Sequence, residues 1–197
     1  MNYNAWAKKI HENAVKHGWY ARPISDDEYA ALFHSEISEA FEEYRNEMPD
    51  VYWNCDVTGE ICTPASECDC EYYGEEWDCT HRHQEPHGIA IELIDLVIRL
   101  LDYAGAKGLD IDNGAGDHYS IVPETKEFAH MIAILHDEAN NAAYDELGFF
   151  FNVVSIRAVI NVIEAYCKSK GLDFETLLRL KHEYNKTRPY RHGGKRC

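Results

Sequence analysis

IAIELIDLVIRLLDYAG, residues 89–105, carries apolar side chains around almost the whole circumference of a helix. At 100° per residue, Ile89, Ile91, Leu93, Ile94, Leu96, Val97, Ile98, Leu100, Leu101 and Tyr103 leave a stripe roughly 80° wide, and every charge of the stretch falls inside it. Those charges are Glu92, Asp95, Arg99 and Asp102. A helix apolar on nearly all sides is buried by others, so the chain reads as an all-α domain built around this segment. The helix is expected from about His87 to Ala106, ending at Lys107-Gly108 in the way that a glycine ends helices.

Other helical patterns flank it. One runs from about Asp27 to Asn46, with Ser25 or Asp26 available as N-cap. A third is expected over about Glu124 to Glu146 and a fourth over about Asn152 to Lys170, stopping at Gly171. Shorter helices are expected at about Ala5 to His17 and Asp173 to Tyr184. No run of alternating residues reads as a convincing strand. Between the first two long helices lies an acidic, aromatic, cysteine-rich insertion, about Pro49 to Pro86, without helical period.

The two halves resemble each other. Residues 31–36, ALFHSE, align with 133–138, AILHDE, and Lys107-Gly108-Leu109-Asp110 aligns with Lys170-Gly171-Leu172-Asp173. Two tandem helical hairpins would then pair into a four-helix-bundle core within one chain. On this reading 1–48 and 87–109 form the first hairpin, 49–86 its insertion, 124–173 a second, degenerate hairpin and 174–197 a basic C-terminal cap.

The acids sit where solvated acids would not. On the helix of residues 27–46, Glu36 falls within the apolar sector made by Tyr29, Leu32, Phe33, Ile37, Ala40 and Phe41, and Glu39 and Glu43 border it. Burying carboxylates costs several kcal/mol each unless cations or donors compensate. Residues three apart on a helix lie about 5–6 Å from one another. Glu36-x-x-Glu39 and Glu92-x-x-Asp95 therefore offer four oxygen ligands from two helices. Oxygen-only ligation suits Mg²⁺, or Mn²⁺, rather than zinc. The bland alternative is a buried salt-bridge network around Arg99, in which one arginine faces too many acids.

A net charge of −16 repels nucleic-acid backbone, and no stretch reads as a secretory signal or a membrane span. The expected setting is the cytoplasm, with no nucleic-acid or membrane partner. From Arg179 to Cys197 there are seven Lys/Arg and one acid, Glu183. Lys181, Arg188 and Lys195 are candidates for phosphate contacts, Asn185 offers an amide to a sugar or base, and Trp19 a stacking face. In the insertion, Cys68, Cys70, Cys79 and His81 are candidates for a structural Zn²⁺ clip, although their spacing is not that of a standard finger; reduced thiols are the alternative.

The sequence LFHSEISEA, residues 32–40, followed by IELIDLVIR, residues 91–99, resembles the MazG-like all-α NTP pyrophosphohydrolases. HENA at 11–14, HGW at 17–19 and YNKTRP at 184–189 are similar to the ends of versions common in phages and their hosts. The resemblance implies Mg²⁺-dependent hydrolysis of a nucleoside triphosphate to monophosphate and pyrophosphate, with Glu36, Glu39, Glu92 and Asp95 as ligands. Glu36 or Glu39 would accept the proton of the attacking water, and Asp102 would assist. It also makes a homodimer or higher oligomer an expectation, since relatives commonly dimerise. Two departures stand out: Ser35 occupies a position where the family often has an acid, and the insertion is large. In the second hairpin Glu39 corresponds to Asn141, Glu92 to Ser155 and Asp95 to Ala158, which leaves one metal centre per chain. A dUTPase-like diphosphatase needs the same acids and is the nearest alternative; a non-catalytic nucleotide-binding or interaction module is a more distant one. A di-iron bundle would need two Glu-x-x-His motifs, and only Glu127 to His130 fits.

Overall fold

The computed structural model describes residues 1–54, 60–64, 85–113, 127–144 and 149–191, with backbone alone for 149–151. In chain order they form α1 (Tyr3–Lys16), α2 (Asp26–Arg45), β1 (Trp53–Asn54), β2 (Ile61–Cys62), α3 (Ile89–Lys107), α4 (Phe128–Ala143), α5 (Phe149–Ser169) and α6 (Phe174–Thr187). The fold is all-α, as the periodicity predicts. Among the described residues the one addition is a two-stranded antiparallel ribbon inside the insertion, pairing Trp53 with Cys62 and Asn54 with Ile61.

Local chemistry sets the boundaries. Ser25 and Glu28 form a reciprocal capping box at the start of α2. Asn2 caps α1, its side chain accepting from Ala5 N at 2.8 Å, so that helix begins two residues before its expected start. The helix expected from Glu124 begins at Phe128 and ends at Ala143, where Tyr144 turns to extended backbone. Residues 124–126 and 145–148 lie outside the described residues. The tail helix runs on to Thr187, stopping at Arg188 before Pro189, which disfavours helical backbone in the residue ahead of it.

α3 is the centre. It packs against α1, α2, α5 and α6, while α4 packs on α2 and α5, so contacts among α2, α3, α5 and α4 close into a ring. Ile91, Leu93, Ile94, Leu96, Val97, Leu100 and Leu101 of α3 are fully buried. Two glycines make its close approaches possible. Gly88, at φ +115°, lets the first turn of α3 meet the chain leaving α2: Ile89 N donates to Pro49 O at 3.3 Å and Ala90 N to Asp50 O at 3.0 Å. Those carbonyls satisfy amides that a helix start otherwise leaves unpaired. A Cβ on Gly105 would stand 2.7 Å from His11 Cβ and 2.8 Å from Ala7 O, so Gly105 is what allows α1 to lie against α3.

The halves end alike. Gly108 and Gly171 both take left-handed backbone, at φ 67° and 72°. Leu109 N donates to Ala104 O and Leu172 N to Cys167 O, each at 2.9 Å, the same Schellman-type closure. Two residues after each glycine, Asp110 accepts from Asn113 N at 3.1 Å and Asp173 from Thr176 N at 2.8 Å. In the second half that cap opens α6; in the first it closes a turn.

Gly105→Val should destabilise the protein by about 1–3 kcal/mol, the usual cost of overpacking, read as a lower urea midpoint with an unchanged slope. Wild-type stability in this variant would mean that α1 does not depend on the close approach.

Candidate acidic site

α2 and α3 pack side by side, and that brings their inward acids together. Oxygens of Glu36, Glu39 and Glu92 all lie within 4.8 Å of one another. Glu36 and Glu92 are only 6 % and 7 % exposed, whereas Glu39 is exposed at the rim. Arg99 Nε donates to Glu36 Oε1 at 2.9 Å, and Ser35 Oγ donates to Glu39 Oε1 at 2.9 Å. Ser35 thus orients the acid one turn on. Glu43 continues the stripe but accepts a hydrogen bond from Tyr52 at 3.2 Å. Among the described residues Glu92 makes no ion pair or hydrogen bond through its side chain.

Asp95 is engaged elsewhere. Lys181 of α6, 1 % exposed, sets its Nζ 3.0 Å from Asp95 Oδ2 and 3.3 Å from Glu85 Oε1, and donates to Pro86 O at 3.2 Å. Burial works against the ammonium charge, but Asp95, Glu92 and Glu85 outweigh it and raise the lysine's pKa. Two expectations change. The acidic cluster is a converging trio with Asp95 held beside it by Lys181. Lys181 itself has all three donors occupied and does not reach the cavity as a phosphate contact; its ion pairs fix α6 and the returning end of the insertion against α3.

The trio opens into a cavity of about 480 Å³. Asp95 and Asp102 form part of its wall, together with the expected Trp19, Asn185 and Arg188. Asp102 Oδ1 lies 2.9 Å from His11 Nδ1, which fixes that carboxylate from behind. Arg188 Nη1 is 3.6 Å from Glu85 Oε1, and the Asn185 side-chain oxygen is buried with no hydrogen-bond partner among the described residues. Glu85, His87, His17, Asn13 and His182 also line the cavity, none of them having been a site candidate in the sequence, although Asn13 and His17 lie within the HENA and HGW segments. For Glu85 and His87 the signal was their position just ahead of Gly88, where α3 starts beside the acids. Burial lowers the pKa of both His87 and His182, favouring neutral rings. Lys195 and the zinc candidates Cys68, Cys70, Cys79 and His81 lie outside the described residues.

The chain matches no family model, no curated protein and no solved structure. Among the described residues no helix is long and apolar enough to cross a membrane.

Burial raises the Glu92 carboxyl from 4.5 to about 8; Asp95 adds to this, Lys181 offsets part of it, and Glu36 and Glu39 add again. Burial likewise raises Glu36, against the opposing pull of Arg99. For Glu92 the folded protein holds a proton that the unfolded chain releases. The resulting stabilisation is complete below pH 4.5 and is lost as the pH rises to about 8. In chelator, the wild-type Tm should fall across that window more steeply than that of Glu92→Gln, whose side chain cannot ionise. Parallel Tm profiles would show that Glu92 is not confined as described.

Proposed function

We propose that the chain is a Mg²⁺-dependent nucleoside triphosphate pyrophosphohydrolase of the MazG-like all-α kind. What carries this reading is the trio Glu36, Glu39 and Glu92: three carboxylates from two packed helices, two of them buried, at the head of a cavity large enough for a nucleotide's reacting end. The donor chemistry fits a hard divalent ion. Arg99 balances Glu36 and Lys181 balances Asp95, which leaves Glu39 and Glu92 without a cation of their own among the described residues. A buried carboxylate in that condition is stable as the acid or as a metal ligand.

Glu36, Glu39 and Glu92 would hold the ion, with Asp95 available once Lys181 shares it. A bound Mg²⁺ supplies charge neutralisation on the polyphosphate and acidifies a coordinated water. The protein's own groups do the rest. Glu39, exposed at the rim and oriented by Ser35, accepts the proton of the attacking water. Water oxygen bonds to phosphorus, the bond to the departing pyrophosphate breaks, and monophosphate remains. Arg188 pairs with phosphate oxygens. Asn185 presents its unpartnered amide oxygen to a donor on base or sugar, and Trp19 offers a face to the base. Asp102, held by His11, keeps the far wall polar and anionic, which favours a magnesium-loaded substrate over a free polyanion. The second hairpin, lacking counterparts of Glu39, Glu92 and Asp95, serves as scaffold.

The test is a screen of the ribo- and deoxyribonucleoside triphosphates plus dUTP with pyrophosphate detection, with and without Mg²⁺. Glu39→Ala should lower kcat by at least about a hundredfold, the scale of losing metal-assisted charge stabilisation, with Tm unchanged because Glu39 is exposed. Wild-type turnover in this variant would remove the proposed centre. Arg188→Ala should raise KM about tenfold, the worth of one charge-assisted phosphate contact, and leave kcat within a few-fold. An unchanged KM would place the phosphates away from α6.

A further inference from the structure

Lys181 is 1 % exposed on the buried face of α6, beside Leu177 and Leu178, a setting in which lysine is almost never found unless paired. Oxygens reach its ammonium from two elements. α3 supplies Asp95 Oδ2 at 3.0 Å, and the segment returning to α3 supplies Glu85 Oε1 at 3.3 Å and the Pro86 carbonyl at 3.2 Å. Two carboxylates and a carbonyl converging on one point make a cation site, and here the cation is covalently part of the chain. Three donors meet three acceptors, so the ammonium is satisfied without water.

This site adjoins the acidic trio. Glu92 lies one turn before Asp95 on α3, is 7 % exposed and, among the described residues, has no ion pair or hydrogen bond through its side chain. Its charge acts on Lys181 together with those of Asp95 and Glu85. Fully ionised, Glu36, Glu39, Glu92, Asp95 and Glu85 bring five negative charges, and Arg99, Lys181 and Arg188 return three. One divalent ion at the trio cancels the remaining two. Asp102 is met separately, by His11. A second divalent ion beside the first would have to displace the ammonium, because the oxygens it would use are those that Lys181 already holds.

We propose that Lys181 fills the place of a second resident cation, so that the nucleotide-free protein takes one divalent ion, at Glu36, Glu39 and Glu92. The inference rests on the acidic centre proposed above and gives that centre its stoichiometry. Lys181 is a positioning residue: it holds Asp95 beside the trio, and it ties α6, which carries Asn185 and Arg188, to the helix that carries Glu92. A tethered cation is not lost by dilution, so this half of the site is assembled before any substrate arrives. Without the ammonium, its three oxygens would need to close by roughly 1 Å to reach the 2.0–2.1 Å of a magnesium–oxygen bond.

The experiment is titration of the full chain with Mn²⁺ in the absence of nucleotide, the free ion being counted by its paramagnetic resonance signal. Wild type is compared with Lys181→Met and with the double variant Lys181→Met, Asp95→Asn. Methionine keeps an unbranched apolar stem and removes the charge. The wild type should bind one equivalent, Lys181→Met two, and the double variant one again. A lysine with a merely structural role would lower Tm on removal without adding an ion. One equivalent at wild-type affinity in Lys181→Met overturns the inference and leaves the hydrolase reading standing, and so does a wild type that binds two. A wild type that binds none removes the acidic centre and this inference with it. Should Lys181→Met not fold in chelator, its helical circular dichroism is followed as Mn²⁺ is added: recovery at two ions per chain supports the inference, and failure to recover overturns it.

Discussion

Two carboxylates, Glu36 and Glu92, are buried where two helices meet, and the charge supplied around them does not cancel theirs. Arg99 is committed to Glu36 and Lys181 to Asp95 and Glu85, so the interior of the first hairpin holds more acid than base. Confinement lifts both carboxyl groups above their ordinary range, the expected response of an anion denied water. The neighbouring structure follows from that constraint. α3 must be buried to place Glu92, which is why its remaining faces are filled with Leu, Ile and Val, and α1 must lie close at Gly105 for His11 to reach Asp102.

The C-terminal helix is part of the same electrostatic system. Lys181 sits under the acids, Arg188 reaches Glu85, and Arg191 returns to the turn after α1, its N donating to His17 O at 3.0 Å and its Nε to Gly18 O at 3.1 Å. Residues 181–191 thus line one side of the acidic cavity and tie the returning insertion, the turn after α1 and α3 together. Arg188 stands at the cavity edge and pairs with a single partly exposed acid, so in the proposed hydrolase it is the cation that would change partners when a polyphosphate arrives.

Much of this was legible in the sequence because it is local. The uniform apolar coat of residues 89–105 announced a buried helix, the inward phase of Glu36 and Glu92 follows from 100° per residue, and the paired Lys-Gly-Leu-Asp segments announced matching helix ends. The fate of Asp95 was not legible. Its spacing from Glu92 is that of a chelating pair, and only packing against α6 delivers a lysine to it. A faint signal existed: Lys181 lies three and four residues beyond Leu178 and Leu177, on the buried face of α6 rather than the solvated one. The hydrogen bond that joins His34 to His136, where α2 packs on α4, was half legible, since the repeat makes the two equivalent but not adjacent. Glu85 and His87 directly follow a cysteine- and histidine-rich run whose residue types are those of zinc ligands, a stronger local signal than their own.

The central claim is that an ion belongs between Glu36, Glu39 and Glu92. A crystal soaked in Mn²⁺ and measured at the manganese absorption edge tests it most directly. An anomalous peak within carboxylate bonding distance of all three side chains is the result this account predicts. Ordered carboxylates with no anomalous density among them, in protein that still hydrolyses or binds a nucleotide, would contradict it.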